Sequence, residues 1–182
     1  MTLEKNLDNI LHGYQSSFSN KVYNNENNDS DLLMAAFGIS PELKRENKQY
    51  WGRELGKCWE SLVIEVCKNI PTFQPALRIN ADEPCDLIVE NYAIDTKYRV
   101  GSGDSGTLKK FKQYGATLKN LGYTPVFLFL REDNLPAAMT ACQNGGWSIY
   151  IADQSFDFIQ EISGFDMKTY LTMRSLQFSV NR

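Results

Sequence analysis

Asp95 and Lys97 stand two residues apart in the run Tyr92 to Tyr98 (Tyr-Ala-Ile-Asp-Thr-Lys-Tyr), which is rich in residues that favour extended backbone. On a strand, that spacing puts both side chains on one face and gives Ile94, Thr96 and Tyr98 the other. Ahead of it, Leu87, Ile88 and Val89 form a short apolar run, and Glu90-Asn91 reads as the turn of a hairpin. That turn brings Asp86, at the start of the first strand, back alongside Asp95. Two carboxylates and an ammonium then converge. Carboxylate oxygens suit a hard cation such as Mg²⁺, which takes one or two protein carboxylates and leaves its other positions to water and a phosphate. Beside a metal-bound water, a lysine orients or helps deprotonate the nucleophile and offsets charge on phosphorus: metal-assisted phosphodiester hydrolysis.

Pro84-Cys85-Asp86 followed by Asp95-Thr96-Lys97 resembles the Pro-Asp…(Asp/Glu)-x-Lys signature of the restriction-endonuclease-like, or PD-(D/E)XK, nucleases. One residue is inserted between Pro84 and Asp86, and Asp95 stands where Glu is commoner. Upstream, Gly56-Lys57-Cys58-Trp59-Glu60 is similar to a second motif of that superfamily, carried on the helix before the hairpin. At ~100° per residue, Glu60 falls at the border of that helix's apolar face. The resemblance spans roughly Gly52 to Leu130 in the order helix, hairpin, basic helix, buried strand. It implies an α/β fold, a restriction-endonuclease-like mixed β-sheet flanked by helices, with extra N- and C-terminal helices. It also implies that Asp86 and Asp95 ligate Mg²⁺, that Glu60 assists directly or through water, and that Lys97 activates water or stabilises the phosphate.

Within the superfamily the chain most resembles a small type II restriction endonuclease, because Tyr98-Arg99 and a Ser/Gly loop follow Lys97 and no ATPase segment accompanies the core. The implied activity is cleavage of double-stranded DNA at a short, palindromic sequence, leaving 5′-phosphate ends. One active site per chain and two scissile phosphates point to a symmetric homodimer. Phosphate contacts are expected from Arg99, Ser102, Ser105, Lys109, Lys110 and Lys112. The rival readings are a structure-specific or repair nuclease of the same superfamily, a catalytically inactive DNA-binding protein with the same fold, and a strand in which Lys97 merely pairs with Asp95 and Asp86.

Composition narrows the chemistry. With one histidine, His12, and four cysteines (Cys58, Cys67, Cys85, Cys142) lacking Cys-x-x-Cys spacing, neither a zinc site nor a Ser-His-Asp mechanism is expected. The net charge of −3 and pI of about 5.3 do not advertise a nucleic-acid partner. The distribution does more: from Lys97 to Lys119 six basic residues face one acid, Asp104, whereas Tyr123 to Asp166 sets Arg131 against six acids. Gly101 to Gly106 lacks a Gly-Lys-Ser/Thr phosphate loop, so no nucleotide cofactor is expected. No apolar run approaches the ~18 residues of a membrane span and no signal pattern opens the chain, which makes a cytoplasmic protein the expectation.

The 182 residues fit a single endonuclease domain, divided into an N-terminal helical extension (1–40), a catalytic α/β core (52–151) and C-terminal helices (152–182). Apolar spacing predicts a first helix to about Ser19, followed by a polar loop over Tyr23 to Asp31. A short helix over Leu32 to Phe37 is followed by a second, opened by Ser40 as N-cap and Pro41 at its first position, which makes the segment from about Glu42 to Asn69 helical with a break expected near Gly52. Beyond the hairpin the pattern gives a helix from Thr107 to Leu121, an uninterrupted apolar strand from Pro125 to Leu130, a helix from Leu135 to Gln143 and a strand from Trp147 to Ile151. Helices over Gln154 to Ile162 and Asp166 to Leu176 close the chain.

Overall fold

The computed structural model describes residues 15, 27, 29–101 and 103–180. Among these, five strands, β1 (Gln74–Ile79), β2 (Asp82–Val89), β3 (Tyr92–Lys97), β4 (Thr124–Phe129) and β5 (Ser148–Ile151), lie side by side in sequence order. The β1–β2 and β2–β3 pairs are antiparallel, while β3–β4 and β4–β5 are parallel. The protein is therefore α/β with a mixed sheet. β4 is apolar without alternation because both of its faces are covered: Val126 and Leu128 point into one core, Phe127 and Phe129 into the other.

Helices supply the two outer layers. α1 (Leu32–Phe37), α2 (Pro41–Glu46) and α3 (Lys48–Cys67) precede the sheet, α4 (Ser105–Asn120) and α5 (Pro136–Gly145) are the crossovers into β4 and β5, and α6 (Asp153–Ser163) and α7 (Met167–Thr172) follow. Trp51, Leu55, Trp59, Val63 and Cys67, spaced by about one turn, give α3 an apolar stripe that packs with Leu87, Ile94, Leu128 and the aromatic residues of α6. The Trp59 indole N–H donates to Leu128 O across 3.2 Å and pins the helix to the central strand. On the opposite face, Phe111 and Leu118 of α4 and Ala138, Ala141 and Cys142 of α5 cover Ile88, Ala93 and Phe127.

Several boundaries differ from the expectations. β1 is an edge strand hidden in the sequence by Pro75, a residue without the N–H that a ladder uses and so found mainly at sheet edges and strand ends. Because β1 pairs with it, β2 extends back to Asp82, and Asp86 lies inside the strand instead of at its start. The long helix breaks at Asn47, whose side chain caps α3 by accepting the Tyr50 N–H, and not at Gly52, which sits within the helix. The last helix stops at Thr172; beyond it the Leu176, Phe178 and Val180 N–H groups donate to the carbonyls of Ala35, Ala36 and Phe37, strapping the chain end onto α1. The first predicted helix (Gln15 apart), His12, most of the 23–31 loop and Ser102 lie outside the described residues.

Candidate active site

The β2–β3 ladder runs outward from a two-residue turn, Val89 opposite Tyr92 and then Leu87 opposite Ile94. There it stops. Alternation would next send the Thr96 N–H across to the backbone of β2. Instead, Thr96 donates both its N–H and its hydroxyl to Asp86 Oδ2, each at 2.7 Å. On its other edge β3 stays paired with β4 as far as Lys97 opposite Phe129. The two strands thus form a fork, with the Asp86 carboxylate in its crotch and the carboxyl-terminal end of β4 beside it.

Asp95 and Lys97 lie on the face covered by α4 and α5, as their spacing requires, with the Lys97 ammonium 5.9 Å from the centre of the Phe127 ring. Ile94 and Tyr98 take the α3 face. Lys97 Nζ pairs with Asp95 Oδ1 and also donates to Thr96 O at 3.0 Å. The Asp95 side chain is 9% exposed and that of Lys97 36% exposed, so the acid lies inside while the amine reaches toward solvent. Glu60 projects, half-buried, from α3 on the opposite side of the sheet.

Electrostatics ties the four groups together. Burial pushes the Asp95 carboxyl up to about 7, with the Lys97 ammonium opposing and Asp86 and Glu60 adding to the rise. Burial raises Glu60 as well, and Asp86 adds to it. Burial disfavours the Lys97 ammonium, but the Asp95 and Asp86 carboxylates outweigh it and hold its pKa above that of an ordinary lysine. Lys97 is therefore a cation near neutrality, with three donors and no lone pair to accept a proton. One ammonium among three carboxylates leaves excess negative charge, which a hard cation would neutralise.

The donor set fits Mg²⁺ in its usual protein setting of one or two carboxylates, with water and phosphate completing the shell. Asp86 and Asp95 are the residues that would hold it. Among the described residues no group of three or more His, Cys, Asp or Glu side chains is close enough to hold a metal ion. Glu60, coming from the far face, therefore fits a contact through water better than direct ligation.

The residues expected to contact DNA divide into two kinds. Lys109, Lys110 and Lys112 are exposed on α4, where the Lys110 ammonium lies 3.4 Å from Asp82, and Ser105 is the exposed first residue of that helix behind the Asp104 cap. Arg99 is different: its side chain is 13% exposed, and its Nε donates to Asp133 Oδ2 at 2.8 Å and to Asp133 O at 2.9 Å. A phosphate would have to compete with that pairing. The sequence reading missed Thr96, whose hydroxyl was assigned only to the opposite face. It also missed a buried cluster of Asp31, Lys44, Tyr98 and Arg131 just beyond Lys97, for which the sequence carries no local signal. Compared with family models, curated proteins and solved structures, the chain matches none of them.

Proposed function

We propose that this chain is a Mg²⁺-dependent endonuclease of the PD-(D/E)XK type that hydrolyses phosphodiester bonds of double-stranded DNA. Its small size and single catalytic core suit a type II enzyme that acts as a homodimer on a short, palindromic sequence. The observation that carries the reading is the forked end of β2 and β3, where Asp86, Asp95 and Lys97 share one electrostatic environment with Glu60. Asp86 and Asp95 would hold Mg²⁺, which when bound would supply Lewis-acid polarisation and help activate water.

The chain's own residues do the rest. Asp86, fixed by Thr96, and Asp95, fixed by Lys97, present their carboxylates in a set orientation. Lys97, held as an ammonium, donates to the phosphoryl oxygens as charge grows on phosphorus, an interaction stronger in the transition state than in the ground state. In the overall step a water oxygen bonds to phosphorus, the bond to the 3′ oxygen breaks, the water gives up a proton and the leaving oxygen takes one. The products are a 5′-phosphate and a 3′-hydroxyl. The exposed lysines of α4 suit the sugar–phosphate backbone.

The test is incubation of the purified protein with unmethylated plasmid or phage DNA, with Mg²⁺ or with EDTA, beside Lys97→Ala. Discrete Mg²⁺-dependent fragments lost in the variant support the reading. A smear, or cutting of branched DNA alone, favours a repair nuclease. A second reading, a salt-bridged strand without catalysis, is favoured by the direct pairing of Lys97 with Asp95. It prevails if no DNA of any kind is cut.

A further inference from the structure

We infer that Asp31 is a positioning residue for Lys97, acting through the hydroxyl of Tyr98; the catalytic meaning of that role rests on the nuclease reading above. Tyr98 directly follows Lys97 at the point where β3 has lost β2 as a neighbour. On the β4 side the backbone still holds it, Leu130 N–H donating to Lys97 O at 3.0 Å and Arg131 N–H to Tyr98 O at 3.1 Å. On the α3 side the hold comes from side chains. The Tyr98 hydroxyl donates to Asp31 Oδ2 at 2.5 Å and accepts from Lys44 Nζ at 2.8 Å, so its donor and an acceptor site are both engaged.

Asp31 is itself anchored twice. Its Oδ1 accepts the Leu33 and Met34 N–H groups at 3.0 Å each and caps α1, while Oδ2 accepts from Arg131 Nη1 at 3.1 Å as well as from the tyrosine. Arg131, 4% exposed, continues through its Nε to Asp133 Oδ1 at 2.8 Å, and Asp133 in turn takes Arg99. The next residue, Val100, donates its N–H to Asn134 Oδ1 at 2.9 Å. Every residue from Tyr98 to Val100 is thus fixed by a side chain drawn from the cap of α1, from α2 or from the loop after β4. Burial and the Asp31 carboxylate push the Tyr98 pKa well up, so its hydroxyl keeps the proton it donates. A strand end anchored this way leaves Lys97 little freedom to swing, as a group that must meet a phosphate requires.

Tyr98→Phe, Asp31→Asn and the double variant test the role in the full-length protein. Phenylalanine keeps the ring, and asparagine keeps the helix cap. Each single variant is expected to stay folded and to lower the single-turnover cleavage rate about tenfold, with DNA affinity in EDTA unchanged. Amides 97–99 are expected to exchange with solvent about tenfold faster. The losses in the double variant should be clearly less than additive, since both substitutions cut the Tyr98–Asp31 bond, although Tyr98→Phe also removes the bond from Lys44 and Asp31→Asn weakens that from Arg131. An unchanged rate in Tyr98→Phe, a loss that tracks only the unfolded fraction, or additive losses would overturn the inference. If the wild type cuts no DNA, the nuclease reading falls by itself. Exchange then decides: faster exchange at 97–99 in Tyr98→Phe upholds the lock on Lys97, and unchanged exchange overturns it.

Discussion

Asp86 Oδ2 accepts both the backbone N–H and the hydroxyl of Thr96, each at 2.7 Å, and so replaces the strand partner that β2 ceases to provide. Asp86→Ala leaves that N–H unpaired near the core and is expected to cost about 1–3 kcal/mol of stability. Asp86→Asn keeps an acceptor oxygen and should recover most of the loss, while both variants should cut no DNA. Urea unfolding of the two beside a cleavage assay checks this. Equal stability would mean that the carboxylate does not hold the fork.

The buried acid Asp95 makes stability fall with rising pH when no divalent cation is present. Its carboxyl titrates at about 7 in the folded protein against 3.8 ordinarily, so between those values the folded state binds a proton that the unfolded chain does not. This one group therefore lowers the unfolding free energy across that window by up to about 1.4 kcal/mol per pH unit. The penalty is absent below the window and complete above it. Thermal melts in EDTA should show the slope for the wild type and a flatter profile for Asp95→Asn. Added Mg²⁺, which favours the ionised form, should oppose it.

Lys97→Met removes the ammonium and keeps much of the side chain's bulk. Cleavage should fall by about 10³-fold or more, while affinity for DNA in EDTA stays close to that of the wild type. The loss of its counter-charge should also shift the Asp95 titration upward, extending the pH slope above neutrality. A variant that keeps a tenth or more of the wild-type rate would remove Lys97 from the chemistry.

Lys109→Ala and Lys112→Ala remove exposed charges from α4. For every lysine–phosphate pairing so abolished, the plot of log affinity against log salt should become shallower by about 0.9. Lys110→Ala should do less, because that ammonium already lies near Asp82. Filter binding across a salt series gives the slopes, and unchanged slopes in all three variants would exclude this helix face from the DNA interface.

Away from the site, a Cβ built on Gly115 would lie 2.6 Å from the Trp147 indole nitrogen, which donates to Phe111 O at 2.7 Å. Gly115→Ala is therefore expected to lose about 1–3 kcal/mol of stability. Its cleavage rate well below the melting point should match the wild type, which makes it a control for loss of stability alone.

What could be read from the sequence was local. The two-residue alternation of Asp95 and Lys97, the turn at Glu90-Asn91 and the uninterrupted run in β4 each leave a pattern within a few residues. β1 escaped because Pro75 argues against a strand unless its edge position is known. The fork escaped because the ladder's last pair is a property of two strands at once. The bonds from Asp31 to Tyr98 and to Arg131 join residues 67 and 100 positions apart, and no spacing rule reaches that far.

The order of the strands also sets a sequence of assembly. β1, β2 and β3 are consecutive hairpin partners and can pair as soon as they are made, whereas β4 and β5 are parallel and wait for α4 and α5 to cross over. During synthesis the hairpin that carries Asp86, Asp95 and Lys97 therefore precedes the strand and the arginine that hold its end. An incomplete chain has the reactive residues without their setting. On the nuclease reading, this would keep the activity silent until the whole sheet has closed.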